Sequence, residues 1–369
     1  MQVFYSFLIY AIFFSISVGL YYIFLSLTKK KNIIGFKKKL ILFLSMIPLI
    51  ILFSFRNNVG TDFNTYIHYY DLVSKYTLDL KTIFNNFLEP LWILISYLFI
   101  SLKIPFWGFL LFISSIFGWF EILILDKYED KCPNFLCHLL MYIILFALFM
   151  NTTRQQLASI IVLYASFFLL DRKKLKFILL VLFASMIHKS SLIALTFPLI
   201  EWLADKKKVM MFMNIIIFSS PFWAFLMERP LNYLLKVIIP NSPYIGVEQG
   251  MSFGYLFYTI PLILLFIFLC NYSNKKNINL LNKKVRLFFV LYSFQFFCQA
   301  LGGFFFPLER LSLYFSSFQV VLWPEVLCLF KDDTNYKKIF LCLIIWYLFY
   351  YFIMYILLNG NEIYPYHFI

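Results

Sequence analysis

Short polar islands interrupt an otherwise apolar chain, and their residue types suit acid–base and anion chemistry. The first is Arg56-Asn57-Asn58-Val59-Gly60-Thr61-Asp62, with Tyr66 to Asp71 trailing it. Glu89-Pro90, Asn151-Thr152-Thr153-Arg154-Gln155-Gln156, His188-Lys189-Ser190-Ser191, Glu309-Arg310 and Tyr364-Pro365-Tyr366 follow. An Asp beside an Arg at a membrane interface suits general-base work under charge control. The alternative for Asp62 and Arg56 is a helix-capping carboxylate with a snorkelling arginine. Arg154 precedes an apolar run, at a helix start where the dipole disfavours a cation. Its favoured partner is an anion, and a guanidinium fork suits phosphate. The alternative is an ion pair with Asp62 or Glu89. His188 reads as an acid–base or ligand-binding group, or as a structural hydrogen-bonder. Cys132 and Cys137 with His138 lack a second ligand pair, so no metal is expected there, and no cofactor.

The elements that must position these groups are membrane helices. Of 369 residues, 62% are hydrophobic and 14% charged, and mean hydropathy is +0.82; a soluble domain is nearer half apolar and a quarter charged. Apolar runs such as 40–55, 106–125, 255–270 and 339–358 approach or reach the length that crosses a bilayer. The first run carries no small-residue cleavage site and reads as a retained helix. The fold class is therefore an all-α polytopic membrane protein. About 10–12 transmembrane helices are expected, some short, re-entrant or broken. Residues 1–369 are expected to form one integral membrane domain without a soluble one.

The net charge of +14 does not point to nucleic acid, because 23 of the 32 Lys and Arg residues fall in six short segments. These are 29–39, 127–131, 172–176, 206–208, 275–286 and 331–338, and such clustering is the positive-inside signal. With those loops in the cytoplasm, both termini and an outer loop over 56–88 face outward, and so do Arg154 and Arg310. The loops 172–176 and 206–208 share a side, so the stretch between them must cross an even number of times. Two half-length segments meeting at His188 satisfy this. Segment 88–103 reads as a short re-entrant or outer-leaflet helix, with 106–125 as a full crossing and 228–253 as another outer loop.

In this order the motifs resemble the EpsG branch of the Wzy-type polysaccharide polymerases. The matching pieces are Arg56-x-x-Val59-Gly60-Thr61-Asp62-Phe63-x-x-Tyr66, Glu89-Pro90-Leu91 and Arg154-Gln155-x-Leu157-Ala158. Phe183-x-x-x-x-His188-x-Ser190-Ser191-Leu192, Arg310-x-x-x-Tyr314-Phe315 and Ile363-x-Pro365-Tyr366 complete them. The tail departs from the pattern, since no basic residue soon follows Tyr366. The resemblance implies a membrane-embedded glycosyltransferase with a GT-C-like helical fold. It implies undecaprenyl-diphosphate-linked repeat units as substrate at the outer face of the bacterial cytoplasmic membrane. It also implies the lipid bilayer, a chain-length regulator and a flippase as surroundings and partners. On that reading Arg56, Arg154, Gln155, Arg310, Tyr66, Glu89 and Tyr366 bind diphosphate or sugar. Asp62 is the first choice of base and His188 the second, both as catalytic residues. A lipid-linked oligosaccharide flippase, or an acyltransferase that decorates the polysaccharide, are the readings from other classes.

The topology is testable by cysteine labelling on intact cells. A membrane-impermeant reagent should reach a cysteine introduced at Asn64 and fail to reach one at Lys174; the reverse pattern would refute the assignment.

Overall fold

The computed structural model describes residues 2–76, 79, 83, 86–128, 134–222, 226, 229–230, 233, 237, 254–276, 278–302 and 306–369. The expected outer loop 228–253 lies almost wholly outside these residues, as do most of 127–131, Cys132 and Gly303 to Phe305. Within them the chain is all-α; its one β-like feature is an isolated bridge between Arg56 and Phe368. Six helices among the described residues are long and apolar enough to cross a membrane: Gln2–Lys30, Phe106–Tyr128, Thr153–Leu170, Lys283–Gly302, Pro307–Leu329 and Tyr336–Leu357. Pro90–Ser101, Asn134–Phe149 and Lys208–Phe218 are apolar but shorter. Against the expected 10–12 crossings, six among the described residues meet the length criterion unaided, and apolar runs such as 40–55 are interrupted by turns.

The chain forms two compact units. The first comprises Met1–Phe168, Lys173–Leu192 and Lys338–Ile369. It opens with α1 (Gln2–Lys30). Next, α2 (Gly35–Phe43) runs through a single 3₁₀ turn, Leu44–Met46, into α3 (Ile47–Ser54), with Pro48 in the first turn where no amide proton is needed. Then come α4 (Phe63–Val73), α5 (Pro90–Ser101) and α6 (Phe106–Leu125). The α2–α3 run lies antiparallel to α6, as successive contacts along it show. Lys38 and Lys39 pair with Asp126 at 3.3 and 3.1 Å. Met46 meets Gly118, where a Cβ would stand 3.2 Å from the methionine Cβ. Further along, Ser54 and Ser114 share a 3.0 Å hydroxyl–hydroxyl bond, and Phe55 stacks on Trp107. The basic cluster and the first polar island thus sit at opposite ends of one helix pair. The roughly 17 residues between Lys38 and Phe55 span about 26 Å, close to the thickness of a hydrocarbon core.

The apolar run α7 (Asn134–Phe149) is α-helical to Leu140, π-helical over Met141–Phe146 and ends at Phe149. Phe149 is clamped face to face between Phe53 and Phe117, each 4.1 Å away between ring centres. This aromatic stack sits just beneath the polar islands. The next crossing, α8 (Thr153–Leu170), starts at the third island and ends at the basic 172–176 segment; α9 (Lys174–Ser185) returns. The chain then breaks at His188, as expected, and continues as a 3₁₀ run (Lys189–Thr196) and the short helix α10 (Phe197–Ala204). The twelve-residue α5 is too short to cross: its start is bonded from the Leu91 N–H to the Met186 carbonyl, and past its end the Ile104 carbonyl accepts from Tyr70.

In the second unit, Leu169–Arg172 and Ile193–Lys337, apolar helices are joined by internal amide bonds. Tyr258 donates to Gln319 at 2.6 Å, and Gln319 donates to Gln295 at 3.2 Å. Asp205 accepts from Arg286 at 2.7 Å, so the basic segments 206–208 and 275–286 share one end of that unit.

A close approach at Gly60 locks the first island in place. Its φ is +92°, and a Cβ there would stand 2.5 Å from the Met150 carbonyl oxygen. Gly60→Ala is therefore expected to cost at least about 2 kcal/mol. Gly19→Ala, which meets nothing within 4 Å, should be neutral or slightly stabilising; thermal unfolding of both in the same detergent checks this.

Candidate active site

Glu89 is the hub of the site. It occupies the cap position of α5 with extended backbone, but its side chain makes no bond to the helix amides. Pro90 supplies no amide proton, so the carboxylate is free to turn away from the helix. It is 4% exposed and meets three donors. Arg154 Nη1, in the first turn of α8, donates to Oε2 at 2.6 Å. Oε1 accepts from His188 Nδ1 at 2.9 Å and from the Lys189 backbone N–H at 3.1 Å. Burial pushes the Glu89 carboxyl up, but the His188 bond, then the Arg154 charge, the His188 charge and the Lys189 amide hold it below the usual carboxylate range. Of the partners expected for Arg154, the structure pairs it with Glu89.

Arg154 is fixed from two further directions. Its guanidinium carbon lies 5.2 Å from the centre of the Tyr69 ring and 5.9 Å from that of Trp92, within cation–π reach. Its own N–H donates to the Tyr66 hydroxyl at 3.4 Å. Tyr66 is thereby packed against Trp92 and Tyr69, with 6% of its surface exposed. Gln155 is buried on the next helical position.

Asp62 begins α4 close by. Its backbone N–H and the Thr61 hydroxyl both donate to Asn151 Oδ1, at 2.9 and 2.5 Å. The Asn151 amide donates in turn to Asn361 Oδ1 at 3.0 Å. Through these bonds the C-terminal tail grips the first island: Gly60 and Thr61 N–H groups donate to the Glu362 and Asn361 carbonyls, Asn57 to His367, and Ile369 to Phe55. Tyr366 is buried in this strap; its hydroxyl donates to the Leu52 carbonyl at 2.6 Å and its N–H to Ser6.

Arg56 is placed differently from the other candidates. It is 0% exposed, 4.0 Å over the Phe53 ring, with Nη1 donating to the Met150 sulfur at 3.1 Å. Burial brings its pKa down to about 10, so it stays protonated at neutral pH. Arg310 lies in the second unit on Phe306–Ser316. His138 is packed edge-on against Tyr21, away from these groups in the apolar helix that begins at Asn134.

The structure therefore brings Asp62, Tyr66, Glu89, Arg154, Gln155, His188 and the tail to one end of the first unit. The order and spacing of those motifs match a known family over residues 39–368, that of the EpsG family model. The chain belongs to the EpsG family. No curated protein and no solved structure matched it. EpsG membership fits a polysaccharide-polymerase type of role and a membrane enzyme resembling a glycosyltransferase. Sequence reasoning did not assign Asn151, Asn361 or Lys189 a part in this EpsG-family site. Asn151 and Lys189 stand inside the islands, whereas the signal for Asn361 was only an Asn-Gly-Asn turn after the last helix.

The lowered Glu89 pKa gives a pH-dependent prediction. A carboxyl depressed in the folded state stabilises above its unfolded pKa and loses that contribution as pH falls through the folded value. Glu89→Gln should therefore lower stability at neutral pH by about 3 kcal/mol, since it leaves the Arg154 charge uncompensated. The gap to the native chain should narrow in acid below about pH 4. Thermal unfolding at several pH values measures both effects; a gap that widens in acid would refute the assignment.

Proposed function

We propose that this chain joins undecaprenyl-diphosphate-linked oligosaccharide repeat units into a surface polysaccharide at the outer face of the bacterial cytoplasmic membrane. The observation that carries the reading is the shared carboxylate: Glu89 orients His188 through Nδ1 and holds Arg154 in the same contact. With Nδ1–H donated to Glu89, the other ring nitrogen, Nε2, is the basic one, and a quarter of the His188 side chain is accessible. That pairing of a carboxylate with a histidine is the arrangement that fixes tautomer and direction in a general base.

In the proposed reaction the terminal sugar hydroxyl of the incoming unit attacks the anomeric carbon of the growing chain. A new glycosidic C–O bond forms, the bond from that carbon to the diphosphate oxygen breaks, and the hydroxyl proton passes to His188 Nε2. Undecaprenyl diphosphate leaves as an anion, so it needs cations more than a general acid. Arg154 supplies one at the edge of the site, and Gln155 extends the same helix turn. Asp62, next to Thr61, is assigned to accept hydrogen bonds from sugar hydroxyls, and the half-buried Tyr69 offers a face for a sugar ring. Arg56 and Tyr366 serve by holding the first island and the tail together. Arg310 is retained as a proposed diphosphate-binding residue. A chain-length regulator and a flippase are the partners such a polymerase would work beside.

The test is a ladder gel of surface polysaccharide from a deletion strain carrying each variant. His188→Gln should reduce polymerisation by about 10²-fold or more, while Asp62→Asn, at an equal protein level, should lose less than about tenfold. The opposite order would move the base to Asp62. Arg154→Lys can keep the pair with Glu89 but not the fork, and should lose long ladders while single repeat units persist. A deletion strain that still makes the full ladder excludes the polymerase; one without single-repeat product at the outer face favours the flippase.

A further inference from the structure

Among the described residues of the first unit, the Arg154–Glu89 pair by itself does not answer a diphosphate. Arg154 and Glu89 stand 2.6 Å apart, so together they present a dipole rather than a net positive charge. A diphosphate diester brings a negative charge on each phosphate. Arg56 cannot answer the second one, being fully buried against the Phe53 ring and the Met150 sulfur. The described site has one more cation bonded directly to its hub. Lys189 gives its backbone N–H to Glu89 Oε1, and its side chain is exposed, with Nζ 3.4 Å from the Asn86 carbonyl oxygen. That long contact is to a neutral acceptor, so no carboxylate compensates the ammonium charge there.

We infer that Lys189 is a further phosphate-binding group of the site, contacting one phosphate of the lipid-linked donor's diphosphate while Arg154 contacts the other. The inference deepens the proposed function and rests on it. Its geometry follows from the main chain: the amide at 189 is fixed to the carboxylate that also orients His188. The Lys189 side chain therefore starts next to the reacting groups and needs only rotamer changes to reach an anion. An ammonium is a compact, strongly hydrated point charge, suited to a phosphate that arrives and departs in every cycle. Lys189 adds a positive charge beside the neutral Arg154–Glu89 pair, which also makes binding sensitive to salt.

The experiment uses the full chain in lipid nanodiscs. Lys189→Gln keeps the backbone bond to Glu89, so thermal unfolding should be unchanged. The KM for the lipid-linked donor should rise about tenfold with kcat held within about twofold. Lys189→Arg should stay within about threefold of the native KM, and Lys189→Gln should flatten the salt dependence. Inorganic pyrophosphate should compete with the donor for the native chain and lose that competition in Lys189→Gln. An unchanged donor KM and salt slope in Lys189→Gln overturns the inference. So does a loss in Lys189→Arg as large as in Lys189→Gln, or competition by pyrophosphate that ignores the substitution. Direct binding of undecaprenyl diphosphate, measured without turnover, keeps this test separate from the polymerase reading: a native chain that binds through Lys189 but makes no polymer refutes only the latter.

Discussion

A single buried carboxylate holds the site together. Glu89 has given up the role its position suggests, capping α5, and instead accepts from Arg154, His188 and the Lys189 amide. Desolvating a carboxylate is costly, and only a full set of donors on both oxygens offsets it. That requirement ties three separate segments, the start of α5, the start of α8 and the break after α9, to one point, and the aromatic face of α4 packs on the Arg154 donor. The Leu91 amide bonded to the Met186 carbonyl reinforces the same junction from the backbone side.

Beneath this junction lies a dry support. Phe149 between Phe53 and Phe117, and the serine pair Ser54–Ser114, fix the height at which α3, α6 and the π-helical run end. Above it the C-terminal strap closes the first island, through main-chain bonds that involve no charge. Arg56 belongs to this support: it is caught between rings, sulfur and strap, where a cation is tolerated through π faces and the absence of any nearby lysine or arginine among its described contacts. The antiparallel α2–α3 and α6 pair separates these polar ends from the Lys38–Lys39–Asp126 cluster by about a bilayer core. A membrane would find apolar surface between them.

The chemistry follows from how the charges are shared. A guanidinium already satisfied by a carboxylate is rigid and correctly aimed, but it is a weak electrostatic attractor at a distance. A histidine whose Nδ1 is spoken for has one nitrogen left for proton transfer. The site thus pairs a pre-oriented base with a pre-oriented but half-neutralised cation. The exposed ammonium of Lys189 complements that arrangement, because it can supply charge when an anionic ligand is present and yield to water when it leaves.

The sequence alone determined the all-α membrane character, the separation of Lys38 and Lys39 from the first island along one helix pair, the break at His188 and the short helix over Pro90–Ser101. Hydropathy, helix length and charge clustering are local quantities, and the bilayer's fixed thickness converts them directly into topology. The same linear pattern nominated Asp62, Glu89, Arg154 and His188, since polar groups in an apolar chain are conspicuous. Tertiary structure decided which of them touch. Only packing could show that Arg154 takes Glu89 as its partner, that Arg56 is sealed beneath aromatic rings, or that Asn361 meets Asn151 across 210 positions. Partner choice depends on distances between segments far apart in the chain, and on which donors burial leaves close enough to satisfy one carboxylate; neither is written in spacing along a single strand of sequence.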